Sequence, residues 1–167
     1  MMSTLRRTII ASGLFFGTVT AFSSAAFAQT TSDTVNLSGN VPSILEMTTT
    51  ATAAASALEL PTSADTKVVQ VADIAFETND AEGVTITATN GTLTKIGGQT
   101  PINFQVKLLA DGTATPGSSD FAAGNTTYAT TTAGEGNADL YIKYTTAEYQ
   151  DPGAYSGNIN VTITDNS

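Results

Sequence analysis

The side chains in this chain able to do chemistry are its 15 carboxylates, its hydroxyls and a few lysines, because it has no His, no Cys and no Trp. Without imidazole or thiol there can be no Ser-His-Asp triad, Cys-His dyad, zinc finger, iron–sulfur cluster, haem-ligating His or disulfide. Gly153-Ala154-Tyr155-Ser156-Gly157 has the glycines of a nucleophile elbow, but its Ser is in the wrong position and no His exists to activate it. A paired-carboxylate glycosidase is formally open among 15 acids, yet sugar sites normally add aromatic platforms and Trp is absent. Glu77-Thr78-Asn79-Asp80-Ala81-Glu82-Gly83 clusters oxygen ligands that could hold calcium. Its spacing fails the alternating acids and twelfth-position Glu of an EF-hand, so it reads as a solvated acidic turn. Phosphate-cradling glycine loops are missing. The expectation is a protein that is not an enzyme and carries no cofactor and no metal.

What the sequence offers instead is a pattern suited to backbone recognition. Thr34-Val35-Asn36-Leu37-Ser38-Gly39-Asn40-Val41-Pro42 alternates, with Val35, Leu37, Gly39 and Val41 on one side and polar residues on the other. Two readings stand. The segment is the first strand of its own domain, or it leaves that domain and completes the sheet of a neighbour, where backbone hydrogen bonds give affinity and alternate side chains fill pockets.

The chain around this segment fits a secreted domain. Arg6 and Arg7 precede an uncharged stretch, Thr8 to Phe27, that closes in Ala26-Phe27-Ala28, the small-residue pattern of a signal-peptidase site. The stretch is long enough to span a bilayer. Thr18, Thr20, Ser23 and Ser24 dilute it, however, and the polar Gln29 to Asp33 follows it, which favours cleavage. The arginine pair is read as an ordinary positive leader for general secretion rather than a twin-arginine signal. Residues 1–28 are thus expected to be a cleaved signal peptide, 29–42 an N-terminal extension and 43–167 a single domain, with no integral membrane segment after cleavage. The mature part keeps Lys67, Lys95, Lys107 and Lys143 against all 15 acids, a formal charge of −11. That balance argues against nucleic acid and anionic lipid as partners. With no Cys, the domain must be held by core packing or by partners.

The remaining signals are those of short strands. Thr48 to Leu60 reads as a loop with a short edge strand, because a Thr run precedes its alanines and Pro61 follows them. Lys67 to Phe76 puts Val69, Val71 and Ala75 on one face and Val68, Ile74 and Phe76 on the other, a phase change that predicts a bulge near Ala72-Asp73. Val84 to Thr89 alternates with Val84, Ile86 and Ala88 inward, and Asn90-Gly91 reads as the turn that ends it. Ile102 to Leu108 is a further strand, closed by Asp111-Gly112. Thr113 to Gly136 reads as loops with one or two short edge strands, and Leu140 to Tyr144 as a strand. A turn is expected at Asp151-Pro152-Gly153, and a last strand from Tyr155 to Thr164 with Ile159, Val161 and Ile163 inward. Together these predict an all-β antiparallel sandwich.

The donor-like segment, Leu58-Glu59-Leu60-Pro61, Thr78-Asn79-Asp80 with the strand Val84 to Ala88, Pro101-Ile102, Leu140-Tyr141-Ile142 and Gly153-Ala154-Tyr155-Ser156-Gly157-Asn158-Ile159-Asn160-Val161-Thr162 occur in that order along nearly the whole mature chain. In this the chain resembles the major subunits of colonisation-factor fimbriae, the alternate chaperone-usher class; it is more loosely similar to spore-coat-U-like secreted sandwiches. It departs from the fimbrial pattern where Pro42 follows Val41 directly and where Gly124 to Asn137 is short and poor in apolar residues. The resemblance implies an immunoglobulin-like sandwich one strand short. Its N-terminal extension would donate Val35, Leu37, Gly39 and Val41 to the next identical subunit, with a periplasmic chaperone and an outer-membrane usher as partners and a surface fimbria supporting adhesion as destination. The alternative from another class is a self-contained secreted sandwich that binds a carbohydrate or a surface protein. For that role Tyr128 and Tyr149 are the tyrosines expected to be exposed.

Overall fold

A computed structural model describes residues 31–98 and 100–167, so the signal-peptide reading of residues 1–28, and Gln29 and Thr30 of the extension, lie outside the described residues. The chain divides after Gly39, and Asn40–Ser167 forms the domain. The domain is all-β, with eight strands among the described residues: β1 Leu45–Ala51, β2 Asp65–Thr78, β3 Val84–Ala88, β4 Gly91–Leu93, β5 Ile102–Ala110, β6 Thr126–Ala129, β7 Gly134–Thr146 and β8 Val161–Asp165. They make two antiparallel sheets, one of five strands in the order β1-β2-β7-β5-β4 and one of three in the order β6-β3-β8.

Alternation builds the core. Val84, Ile86 and Ala88 of β3 are completely enclosed, and Ile102, Phe104, Val106 and Leu108 of β5 are buried on one face. Leu140, Ile142 and Tyr144 of β7 share that interior, and the Tyr128 ring meets Phe76 edge-on at 6.2 Å. Tyr128 is therefore a half-buried core contact rather than an exposed platform.

The expected phase change in β2 is present as an irregularity between Gln70 and Ala72, one residue before the predicted place. The extra residue keeps Val71, Ile74 and Phe76 all buried, while Ala75 is exposed, contrary to its assignment to an apolar face. Asn90-Gly91 is not a hairpin turn. Gly91 opens β4, which joins β5 in the other sheet, and the Asn90 side chain accepts from Val106 N at 2.8 Å. The Thr48 to Leu60 stretch divides into β1, which takes in the Thr run, and a short 3-10 turn at Ala53–Ser56. The last strand is shorter than expected. It begins at Val161, while upstream Ser156 makes an isolated pair with Thr94.

Register fixes the two ends of the domain. Asp65 pairs with Thr146 at one end of the β2–β7 ladder and Thr78 pairs with Gly134 at the other. The first end carries residues 61–64, the Lys95–Gly98 turn and the 147–155 loop; the second carries the 79–83 turn, where Gly83 has a φ of +80°.

Candidate functional site

The short sheet ends on β8, which pairs with β3 on one side and is an edge on the other. An unpaired edge is a row of free backbone donors and acceptors, a template for another strand. The side chains of β8 report the same condition. Val161 and Ile163 point inward beside the fully enclosed Ala88 and Ile86, yet both are only half-buried, as is Ile159 just upstream. A strand lying along the outer edge of β8 would cover them.

Beside Ile159 the interior opens into a cleft of about 630 Å³. Its floor is Val71, Phe104 and Ile142 of the five-stranded sheet, and its walls include Leu58, Leu60 and Tyr155. Neither wall is a strand. Residues 53–60 are held by Thr52 Oγ1 donating to Gln70 O at 2.8 Å and by Tyr144 Oη donating to Glu59 O at 2.7 Å. The Gly153–Gly157 stretch is pinned to β4 by reciprocal Thr94 and Ser156 backbone bonds of 2.8 and 2.9 Å. Gly157 is required there, since a Cβ would stand 2.6 Å from Thr92 O. Burial of the Tyr144 phenol raises its pKa, consistent with its place at the enclosed end of this wall. Among the described residues no buried side-chain polar atom is left without a partner.

The alternating residues singled out from the sequence are exposed. None of residues 31–44 belongs to a strand, and Val35, Leu37 and Val41 are exposed by 80, 91 and 81%. A Cβ at Gly39 would meet nothing within 4 Å. The extension is anchored where it joins the domain: Asn79 Nδ2 donates to Pro42 O at 2.8 Å, and Ile44 N donates to Asn79 Oδ1 at 2.8 Å. The β8 edge and the Leu58–Leu60–Tyr155–Ile159 cleft are legible in the sequence only as a strand and as turn landmarks.

The acidic 77–83 segment is a hydrogen-bonded turn. Asp80 accepts from Glu82 N at 2.7 Å, and bonds from Ser167 and Glu82 hold its carboxyl below the usual range. Ser156, the serine of the elbow-like motif, is a strand-pairing residue whose backbone bonds Thr94. Among the described residues no cluster of three or more acids is placed to hold a metal ion, and no helix is long and apolar enough to cross a membrane. No family model matches the chain, and no curated protein matches it.

Proposed function

We propose that this chain is a structural subunit of an extracellular fimbria or pilus, an immunoglobulin-like sandwich one strand short that polymerises by lending its N-terminal extension to the next copy. The observation that carries this reading is the pairing of an exposed alternating segment with an edge that lacks cover. Val35, Leu37 and Val41 have no place in a strand, while Val161 and Ile163 on β8 are half-buried where their cross-strand partners are enclosed. Strand addition satisfies both at once, because it pairs the free β8 edge and moves the apolar side of the extension out of water. The order of sequence landmarks supports the fimbrial class. On that reading a periplasmic chaperone and an outer-membrane usher accompany export and the fibre supports surface adhesion. No catalysis is proposed.

Electron microscopy of the purified mature chain, with gel analysis of unboiled samples, tests the proposal. Fibres and detergent-resistant ladders that disappear on deletion of residues 29–41 are expected. A stable monomer that binds a carbohydrate or surface protein would instead assign the chain to the self-contained binding modules.

A further inference from the structure

The end of the domain opposite the 79–83 turn presents two large apolar side chains to water. Ile96, at the tip of the Lys95–Gly98 turn, is fully exposed, and Tyr149 in the 147–151 loop is 85% exposed. Tyr149 is also the one non-glycine residue with positive φ among the described residues, at +60°. An aromatic residue is strained there and persists only where its surroundings over-determine it. They do so here. Gln150, itself buried, donates to Thr100 O and to Tyr155 Oη, both at 2.7 Å, and accepts from Ala147 N at 3.3 Å. Tyr149 N donates to Thr62 O at 3.2 Å, and Tyr155 Oη donates to Asp151 O at 3.1 Å. The loop is clamped on both flanks of Tyr149 and its ring is held outward, so the strain serves presentation of the ring and not packing within the domain.

What the ring meets follows from chain direction. Every strand pair in the fold is antiparallel, and antiparallel pairing is the more stable per residue. β8 runs from the Tyr149 end toward the 79–83 end, since Val161 pairs with Ala88 and Asp165 with Val84. A strand added antiparallel to it runs the other way, so its last residue, Val41, emerges at the end of the acceptor that carries Ile96 and Tyr149. In the donor, Ile44, three residues after Val41 and so at most about 11 Å from it, is fastened to Asn79. The two ends are therefore drawn into contact.

We infer that Ile96 and Tyr149 form a docking surface for the 79–83 end of a second copy of this chain, the one whose extension occupies the β8 edge. The inference rests on the strand-donation reading and adds to it a pole-to-pole contact that stiffens the junction between subunits.

The chain has no Cys, so engineered thiols report cleanly. Tyr149→Cys combined with Ala81→Cys, treated in assembled fibres with a short bifunctional maleimide, is expected to give a ladder that survives boiling in detergent. Tyr149→Cys combined with Thr127→Cys, midway along the β6 edge, is expected to give none. Independently, Tyr149→Gly should raise the melting temperature of the domain by relieving the positive φ, while lowering the denaturant midpoint at which fibres dissociate. Ile96→Ser should lower that midpoint with no effect on the domain. Fibres that form normally, show no 149–81 cross-link and keep their dissociation midpoint in both variants overturn this inference and leave strand donation standing. Loss of binding to a carbohydrate resin in Tyr149→Gly, with unchanged fibres, overturns it in favour of a sugar platform. Failure of the unsubstituted chain to polymerise at all overturns both readings.

Discussion

Ile86 and Ile163 face each other across β3 and β8, yet Ile86 is completely enclosed while Ile163 is half-buried. Directly paired residues of the same type differ this way when one strand has a neighbour on each side and the other does not. Ile86→Ala is expected to cost about 2–5 kcal/mol, the range for a buried large-to-small change. Ile163→Ala should cost roughly half as much in the isolated domain, because less apolar area is removed from its surroundings. Denaturant unfolding of both variants checks the difference; equal costs would mean that β8 is already covered.

Val161→Asp places a charge on the half-buried face of β8, whereas Asn160→Asp places one in water. The first should weaken strand addition at least tenfold while leaving a folded domain, and the second should be nearly silent. Titration of each variant with a peptide spanning Thr31–Pro42 measures this.

Gly136 lies opposite Phe76 in the β2–β7 ladder, and a Cβ at Gly136 would fall onto the Phe76 ring. The ring occupies the space a side chain would need, a cross-strand compensation for glycine in a strand. Gly136→Val should destabilise the domain by about 1–3 kcal/mol through overpacking, read as a lowered melting temperature. Gly39→Val, in open space, should leave the domain unchanged.

Asp139 is buried under the Asp111–Gly112 turn, and burial, then the Asp111 and Asp73 carboxylates, raise its pKa. Gln70 Nε2 bridges part of the cluster, donating to Asp73 at 2.6 Å and to Asp139 at 3.2 Å. A raised carboxyl pKa means the folded state binds the proton more tightly than the unfolded chain. The penalty of ionised Asp139 is therefore absent below the unfolded value near 4 and grows as pH rises through the folded one. Asp111→Asn should accordingly raise the melting temperature at pH 7 by about 2 °C and change little near pH 3.5. A gain of equal size at both pH values would place the effect outside Asp139.

Where pattern is local, the sequence was readable. Val84 to Ala88 alternates without interruption and is a strand with its apolar face enclosed, and Ile102 to Leu108 behaves the same way. The first half of β7 is not legible, because Gly134-Glu135-Gly136-Asn137 has the composition of a loop and is a strand through its long-range pairing with Ala75 to Thr78 of β2. β4 was missed for a related reason: Asn90-Gly91 has turn chemistry, but here Asn90 binds Val106 and the chain crosses to the other sheet. In the N-terminal extension Val35, Leu37, Gly39 and Val41 stand out by alternation alone. The bare edge of β8 is a property of what does not pair with it, and no window of sequence around Val161 carries that information.

Hydrogen exchange of the domain lacking residues 29–41, with and without the Thr31–Pro42 peptide, tests strand acceptance most directly. Strand addition predicts that the peptide slows exchange of the β8 amides that do not bond to β3, leaves the β6 edge unchanged and raises the melting temperature, since a ligand that binds only the folded state stabilises it. A peptide carrying Leu37→Asp should do neither. Unchanged β8 exchange at saturating peptide, or a truncated domain that is already as stable as the full mature chain and indifferent to the peptide, would contradict the proposal that β8 awaits a donated strand.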